Sequence, residues 1–154
     1  FQQFFRENSE SWLERFDYKE AGPQLLMQAF LQRVINGGGR ISREYGLGRR
    51  RTDLAIEWPL QRLPSSSERG AGVEGEPNWH GPIRRIVIEL KLLRGSLESV
   101  IAQGLEQTAD YADQFGADES HLVIFNRDPD VSWDKKIWHR PETYGTRTLG
   151  VWGA

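Results

Sequence analysis

The sequence predicts an α/β domain in which helices flank a mixed central β-sheet. Apolar runs of strand length alternate with segments whose apolar residues recur at helical spacing. The longest run, RRIVIELKLL, has the continuous apolar character of a strand that is buried on both faces. The segments follow the order helix, three strands, helix, strand, and such alternation is typical of a sheet with helices packed on it.

Helical segments are predicted before the first strand. Residues 1–16 have the pattern of a short helix pair with an aromatic apolar side. The next helix is predicted from about 23 to 36, where a proline suits the first turn and three consecutive glycines follow the end. Its apolar face is predicted from helical spacing to contain Leu25, Leu26, Ala29, Phe30 and Val34.

Strands are predicted where short apolar or alternating runs are bounded by turn residues. These segments are 40–47, 50–58, 84–93 and 121–126, with short edge strands at 137–138 and 148–152. Gly46 and Gly48 suit a tight hairpin between the first two strands, and the second is expected to stop before Pro59. The stretch 60–82 is rich in Gly, Pro and Ser, which predicts a long exposed loop or a hairpin extension.

A helix over 97–115 is predicted after the central strand. Its apolar residues fall on one face at 100° per residue, and Gly116 is expected to end it. Gln103, Gln107 and Tyr111 follow one another along one shoulder of that face, because they are spaced four residues apart. The acidic residues of the segment lie mostly on the outer side.

Size and composition indicate a single globular domain. The chain has 154 residues, of which 38% are hydrophobic and 27% charged. No apolar run approaches the roughly 20 residues that cross a bilayer, so no membrane association is expected. The absence of cysteine excludes disulfides, thiolate metal sites and cysteine nucleophiles, and a reducing, cytoplasmic setting is expected. Because the chain starts at Phe1 without a methionine, we expect a domain cut from a longer protein.

Charge is unevenly distributed along the chain, although the formal net charge is only −2. Between Arg40 and Arg51 there are five arginines and one acid, whereas the segment 98–119 has six acids and no Lys or Arg. Local positive charge is sufficient to contact phosphates, so the near-neutral total is compatible with nucleic-acid binding. The same total argues against a protein that coats DNA through charge alone.

The central strand contains an acid and a base within its apolar run. Glu89 and Lys91 are two residues apart, so their side chains point to the same face of the strand. Each desolvated charge costs on the order of several kcal/mol unless it is paired or ligates a metal. Asp53 lies in the preceding predicted strand among apolar neighbours, and pairing of the two strands would bring its carboxylate within a few ångströms of Glu89.

The carboxylates of Asp53 and Glu89 would repel each other at that separation unless a proton or a cation lay between them. Oxygen ligands, in a chain without cysteine or paired histidines, favour a hard divalent cation, so Mg²⁺ or Mn²⁺ is the expected cofactor. Beside such an ion, Lys91 could orient or deprotonate a water molecule, or neutralise charge on a phosphate.

These residues resemble the motif of a known superfamily. Asp53, followed by Glu89-Leu90-Lys91 on the next strand, is similar to the PD-(D/E)XK nuclease superfamily. The helical element Gln107-Thr108-Ala109-Asp110-Tyr111 resembles the QxxxY element of its RecB-like branch. The segment GRRRTD, which ends at Asp53, resembles the lead-in of that branch, and the resemblance covers about residues 20–125. The chain most resembles domains found C-terminal to certain prokaryotic AAA-type ATPases.

The resemblance implies a restriction-endonuclease-like core in αβββαβ order and a metal-dependent nuclease that hydrolyses DNA, attached to an AAA-type ATPase domain. It implies that Asp53 and Glu89 ligate the metal together with the carbonyl of Leu90. Lys91 would act on the attacking water. Two departures are Thr52, which stands in place of a proline, and the long step of 36 residues between the two acids, to which the Gly/Pro/Ser-rich stretch contributes.

The resemblance also implies supporting residues around the metal. Gln107 and Tyr111 would line the site and contact the nucleic-acid backbone or brace the ligands. An acid from the first helix often joins such sites, and Glu20 is the best-placed candidate, with Glu44 as the alternative. Contacts with nucleic-acid phosphates are expected from Arg49, Arg50, Arg51 and Gln103.

Plainer interpretations of the same residues stay open. A Glu-x-Lys pattern in a strand is often an exposed salt bridge, which contributes roughly 0–1 kcal/mol. The arginines before Asp53 could face solvent on an edge strand, and Glu20 could simply favour a helix N-terminus. The alternative function is a catalytically inactive module of the same fold that binds nucleic acid or protein.

Overall fold

The structure is a computed structural model that describes residues 2–6, 21–35, 38–47, 50–60 and 81–154. Residues 2–6 form helix α1. The other helices are α2 (Ala21–Ile35), α3 (Leu97–Phe115) and α4 (Trp133–Lys136). The strands are β1 (Arg40–Leu47), β2 (Arg50–Pro59), β3 (Ile83–Leu92), β4 (Glu119–Phe125), β5 (Trp138–Tyr144) and β6 (Arg147–Gly153).

The described strands form one six-stranded mixed sheet in the order β1-β2-β3-β4-β6-β5. The first three strands are antiparallel neighbours. β4 is parallel to β3, and α3 provides the crossover that a parallel connection requires. β6 is parallel to β4 and forms an antiparallel hairpin with β5. The predicted α/β class with a mixed sheet is therefore confirmed.

The sheet is covered on both faces, so that β3 is buried from two sides as its sequence predicts. Ile88 belongs to the core beneath α1 and α2, whereas Val87 packs with Tyr111 of α3 on the other face. Leu54 and Phe125 extend the first core across β2 and β4. A further cluster joins α3 to β4 and β6 through residues that include Ile101, Leu105, Leu122, Ile124, Leu149 and Val151.

Most predicted boundaries hold, and the exceptions have physical reasons. β2 includes Pro59, which pairs with Ile83 at the end of the sheet, where a proline is tolerated because no central ladder depends on its missing N–H. β5 and β6 are longer than the short edge strands predicted. They form a hairpin that Gly145 closes at φ 58°. β5 is largely polar, so no apolar run in the sequence indicates its full length. The short helix α4 was not predicted.

The buried face of α2 differs from the predicted one. Leu26, Met27 and Ile35 are buried, whereas Leu25 is 36% exposed and Val34 is 60% exposed. Apolar residues occur around most of this helix, so spacing alone does not determine which of them face the sheet. Of the predicted helix pair, residues 2–6 are helical and 7–16 lie outside the described residues.

The loop or hairpin predicted over 60–82 lies mostly outside the described residues, which resume at 81. Its two ends are close together, because the N–H of Leu60 donates to the carbonyl of Pro82 at 3.0 Å. Among the helices that the structure describes, none is long and apolar enough to cross a membrane. The expectation of a domain cut from a longer protein stays a prediction.

Gly104 allows α3 to approach β4 closely. A Cβ atom at this position would come within 2.5 Å of Leu122, whose side chain is fully buried. Ser96 begins the helix by accepting a hydrogen bond from the N–H of Ser99, and Gly116 ends it at a left-handed φ of 65°. These features fix the height and register of α3 over the sheet.

We predict that Gly104→Val lowers the free energy of unfolding by about 1–3 kcal/mol, because the added methyl groups overpack the contact with Leu122. The matched control is Ala102→Val, which introduces the same side chain on the exposed side of the same helix. Urea unfolding followed by circular dichroism measures both. Equal stabilities for the two variants would contradict a close contact at Gly104.

Candidate functional site

A cleft opens where β2 separates from β3. The antiparallel pairing of these strands runs from Pro59 and Ile83 to Leu54 and Ile88. Two residues beyond Ile88 along β3, the N–H of Leu90 donates to Oδ2 of Asp53 at 2.8 Å. β3 itself continues to pair with β4 as far as Leu92. The Asp53 carboxylate thus takes the place of a main-chain acceptor at the point of separation.

The cleft is predominantly polar and has a volume of about 410 Å³. This size is within the range of small-ligand sites. β3 forms its floor. α2, β2 and α3 contribute one side chain each, and the segment after β3 contributes one more. The lining residues are Gln24, Asp53, Glu89, Leu90, Lys91, Leu92, Arg94 and Gln107.

A chain of hydrogen bonds connects β3 to α3. Lys91 Nζ donates to Glu89 Oε1 at 2.9 Å and to Gln107 Oε1 at 2.7 Å. Gln107 Nε2 in turn donates to the hydroxyl oxygen of Tyr111 at 2.8 Å. Because Tyr111 is buried, it holds the amide of Gln107 with its oxygen towards Lys91. The structure therefore brings together four of the predicted site residues, whose chemical roles stay predictions.

Glu89 is a buried acid with one oxygen left unsatisfied. Only 2% of the residue is exposed, and Oε2 has no hydrogen-bond partner in the part of the chain that the structure describes. Burial is the main reason that the pKa of Glu89 rises from 4.5 to about 7, and the nearby charge of Asp53 raises it further. Lys91 opposes the shift through its hydrogen bond and its charge, and a hydrogen bond from the main-chain N–H of Asp53 to the Glu89 carboxylate opposes it as well. Glu89 is therefore poised between its neutral and ionised forms near neutral pH.

Asp53 is held from two directions. Its Oδ2 accepts from the main chain of Leu90, and its Oδ1 faces Nε2 of Gln24 at 3.5 Å, a long hydrogen bond. Gln24 extends from α2, so the carboxylate joins this helix to β2 and β3. The contacts orient the Asp53 carboxylate beside Glu89, within the same cleft.

Several predicted site residues are not brought into this cleft by the described structure. Glu20 and Arg49 lie outside the described residues. The main chains of Glu44, Arg50 and Arg51 lie in β1 and β2, but their side chains are outside the description. Gln103 is exposed and donates to Ser99 Oγ at 3.4 Å, one helical turn from the cleft. The predicted roles of these residues stay predictions.

Gln24 and Arg94 line the cleft but were not predicted. Gln24 lies four residues after Glu20 in the sequence, a spacing that places two residues on one face of a helix. Arg94 follows the predicted central strand directly, at the carboxyl end where ligands often bind in α/β sheets. These two signals could have identified both residues.

The donor set of the cleft consists of oxygen atoms. Within the described ranges, no group of three or more His, Cys, Asp or Glu residues is arranged to hold a metal ion. A cation here would have the carboxylates of Asp53 and Glu89, including the unpartnered Oε2, and would need further oxygen ligands from the main chain, water or substrate. This donor set fits a hard divalent cation, which commonly retains several water ligands.

Comparison of the chain with protein-family models, curated proteins and solved structures finds no match. These comparisons therefore assign no family to it. Its function must be inferred from the chemistry of the cleft and from the motif within it.

We predict that Glu89→Gln stabilises the metal-free protein at high pH. Since the pKa rises from 4.5 to about 7 on folding, the native state binds the proton more tightly than the unfolded state. Stability should consequently fall as pH rises from about 4.5 to 7, and the neutral glutamine avoids this loss. At pH 8 the variant should be more stable than the parent by up to about 3 kcal/mol, and near pH 4.5 the two should converge.

Urea unfolding in EDTA across this pH range measures the difference. Glu106→Gln is the control. Glu106 is exposed on α3, so this variant makes the same chemical change away from the cleft. A difference between Glu89→Gln and the parent that did not vary with pH would contradict the raised pKa.

Proposed function

We propose that this domain is a Mg²⁺- or Mn²⁺-dependent nuclease that hydrolyses phosphodiester bonds of DNA and has a restriction-endonuclease-like core. The observation that carries the proposal is the buried, unpartnered Oε2 of Glu89 beside Asp53 and Lys91. The order of helix, three antiparallel strands, helix and parallel strand supports the core that the motif implies. The link to an AAA-type ATPase domain rests on the motif resemblance alone.

The residues of the cleft suit a hard divalent cation held by Asp53, Glu89 and the main-chain carbonyl of Leu90. Such a cation would satisfy the unpartnered Oε2 and would remove the repulsion between the carboxylates. When bound, it would supply Lewis-acid stabilisation of the phosphoryl group and lower the pKa of a water molecule. Glu20 is the proposed additional acid, with Glu44 as the alternative.

Lys91 is the proposed group that acts on the attacking water, and as an ammonium group it would orient that water rather than deprotonate it. An ammonium group has three donors, and two of them are used by Glu89 and Gln107. The third is available to a water molecule or to a phosphate oxygen in the cleft. Gln107 is a positioning residue, because it fixes the direction of the ammonium group, and Tyr111 fixes Gln107 in turn.

A second candidate function is a catalytically inactive module that binds nucleic acid or protein. The observation that favours it is the lack of a third His, Cys, Asp or Glu near the two carboxylates, as far as the structure describes the chain. A network that includes Lys91 and Gln107 would then have only a structural role. Metal binding distinguishes the two candidates.

We predict that Asp53→Ala, Glu89→Ala and Lys91→Ala each lower DNA cleavage by at least about a hundredfold, because each removes a metal ligand or the group acting on water. Linear, circular and single-stranded DNA should be incubated with Mg²⁺, Mn²⁺ or EDTA. Glu106→Ala, on the exposed face of α3, should cleave as the parent does. Normal cleavage by the Glu89 variant would refute the proposed mechanism.

We predict that the parent binds Mn²⁺ and that its affinity rises about tenfold between pH 6 and pH 8, since the ion must displace the proton from Glu89, whose pKa is about 7. Titration calorimetry in two buffers of different ionisation enthalpy should show proton release at pH 6 and little at pH 8. Asp53→Asn and Glu89→Gln should each weaken binding. Absence of Mn²⁺ binding in the parent would favour the inactive module.

A further inference from the structure

Arg94 is a second cation at the cleft, in addition to Lys91. It lies just beyond the end of β3, where its exposed side chain lines the cleft together with Asp53 and Glu89. The motif assigns no role to Arg94, because the basic residue of the motif is Lys91. The position of Arg94 at the rim, two residues after the end of the strand that carries Glu89, suits a contact with substrate.

The main chain around Arg94 is fixed on both sides. Before it, the N–H of Leu93 donates to the carbonyl of Phe125 at 2.9 Å, so the connection to β4 continues past the end of β3. After it, Gly95 adopts a left-handed φ of 75° and Ser96 caps α3. The Cα atom of Arg94 is therefore held in a defined position relative to the two carboxylates, as a substrate-binding residue requires.

The charges of the cleft suggest different tasks for its two cations. Lys91 Nζ is bound to Glu89 and Gln107, and it points inward. A divalent cation would neutralise the two carboxylates, and the positive charge of the exposed residue Arg94 would then add to that of Lys91 in attracting an anion to the rim. A guanidinium presents a planar fork that matches two phosphate oxygens.

We propose that Arg94 binds the phosphodiester adjacent to the one that is hydrolysed, so that the cleft selects a nucleic-acid strand with successive phosphates. This inference rests on the proposed function, because it places the scissile phosphate at Asp53 and Glu89. It assigns to Arg94 a role in substrate binding, whereas Lys91 acts on the reacting water.

The test compares Arg94→Ala and Arg94→Lys with Arg84→Ala. Arg84 is a matched control, because it is also exposed and lies at the other end of β3 from Arg94. It forms a salt bridge with Glu119 at 3.1 Å. Fluorescence anisotropy with labelled single-stranded and duplex DNA is measured at several NaCl concentrations. Ca²⁺ replaces Mn²⁺ in these titrations, since it has the same preference for oxygen ligands.

Arg94→Ala should weaken DNA binding about tenfold and reduce the slope of log affinity against log salt by about 1. Its Mn²⁺ affinity should match that of the parent, and its midpoint of urea unfolding should change little, because Arg94 is exposed. Arg94→Lys should keep the salt slope and lose part of the affinity, because the charge remains but the fork is absent. In cleavage assays, KM should rise for Arg94→Ala with little change in kcat.

Each alternative outcome has a distinct meaning. If Arg94→Ala binds DNA as tightly as Arg84→Ala does, the role of Arg94 is refuted, whereas cleavage by the parent would leave the proposed function intact. If the parent binds DNA without cleaving it, nuclease activity is refuted together with the place of Arg94 beside a hydrolysed phosphodiester, and weaker binding by Arg94→Ala would show only that Arg94 contacts DNA. If the parent does not bind DNA at all, both proposals are overturned.

Discussion

The burial of the Glu89 carboxylate is the constraint on which the arrangement of the site depends. Glu89 lies on the central strand, between β2 and β4 and beneath α3, and only 2% of the residue is exposed. Lys91 satisfies one of its oxygens, and the other has no described partner. An unsatisfied buried acid lowers stability, and an apolar residue or a glutamine would be the better structural choice at this position. Its presence therefore supports the proposal that the cleft binds a cation.

Three features of the fold bring the site together from segments that are distant in sequence. The separation of β2 from β3 leaves Asp53 beside Leu90 and Glu89. The parallel crossover returns α3 over β3, and the close approach at Gly104 places Gln107 within hydrogen-bonding distance of Lys91. The polar cleft thus results from sheet topology and helix packing together, while the cores on either face keep the strands fixed.

The sequence allowed much of this arrangement to be predicted, because its signals are local. The limits of α3 follow from apolar spacing and its terminal residues, and the pairing of Glu89 with Lys91 follows from the alternation of a strand. The buried face of α2 could not be predicted, since apolar residues surround that helix. Gln24 and Arg94 were missed although the sequence carried a signal for each, the spacing of Gln24 from Glu20 and the position of Arg94 directly after the central strand. The unpartnered oxygen of Glu89 likewise depends on packing between elements, which no local pattern specifies.

The proposed function requires Asp53 and Glu89 together to hold a divalent cation in this cleft. Anomalous diffraction from crystals of the protein grown with Mn²⁺ tests this claim most directly, because the signal locates the ion without reference to activity. We expect one anomalous peak within about 2–2.5 Å of a carboxylate oxygen of each residue, with Lys91 Nζ still bound to Gln107. A well-ordered cleft with no anomalous peak, or with the ion bound elsewhere, would contradict it.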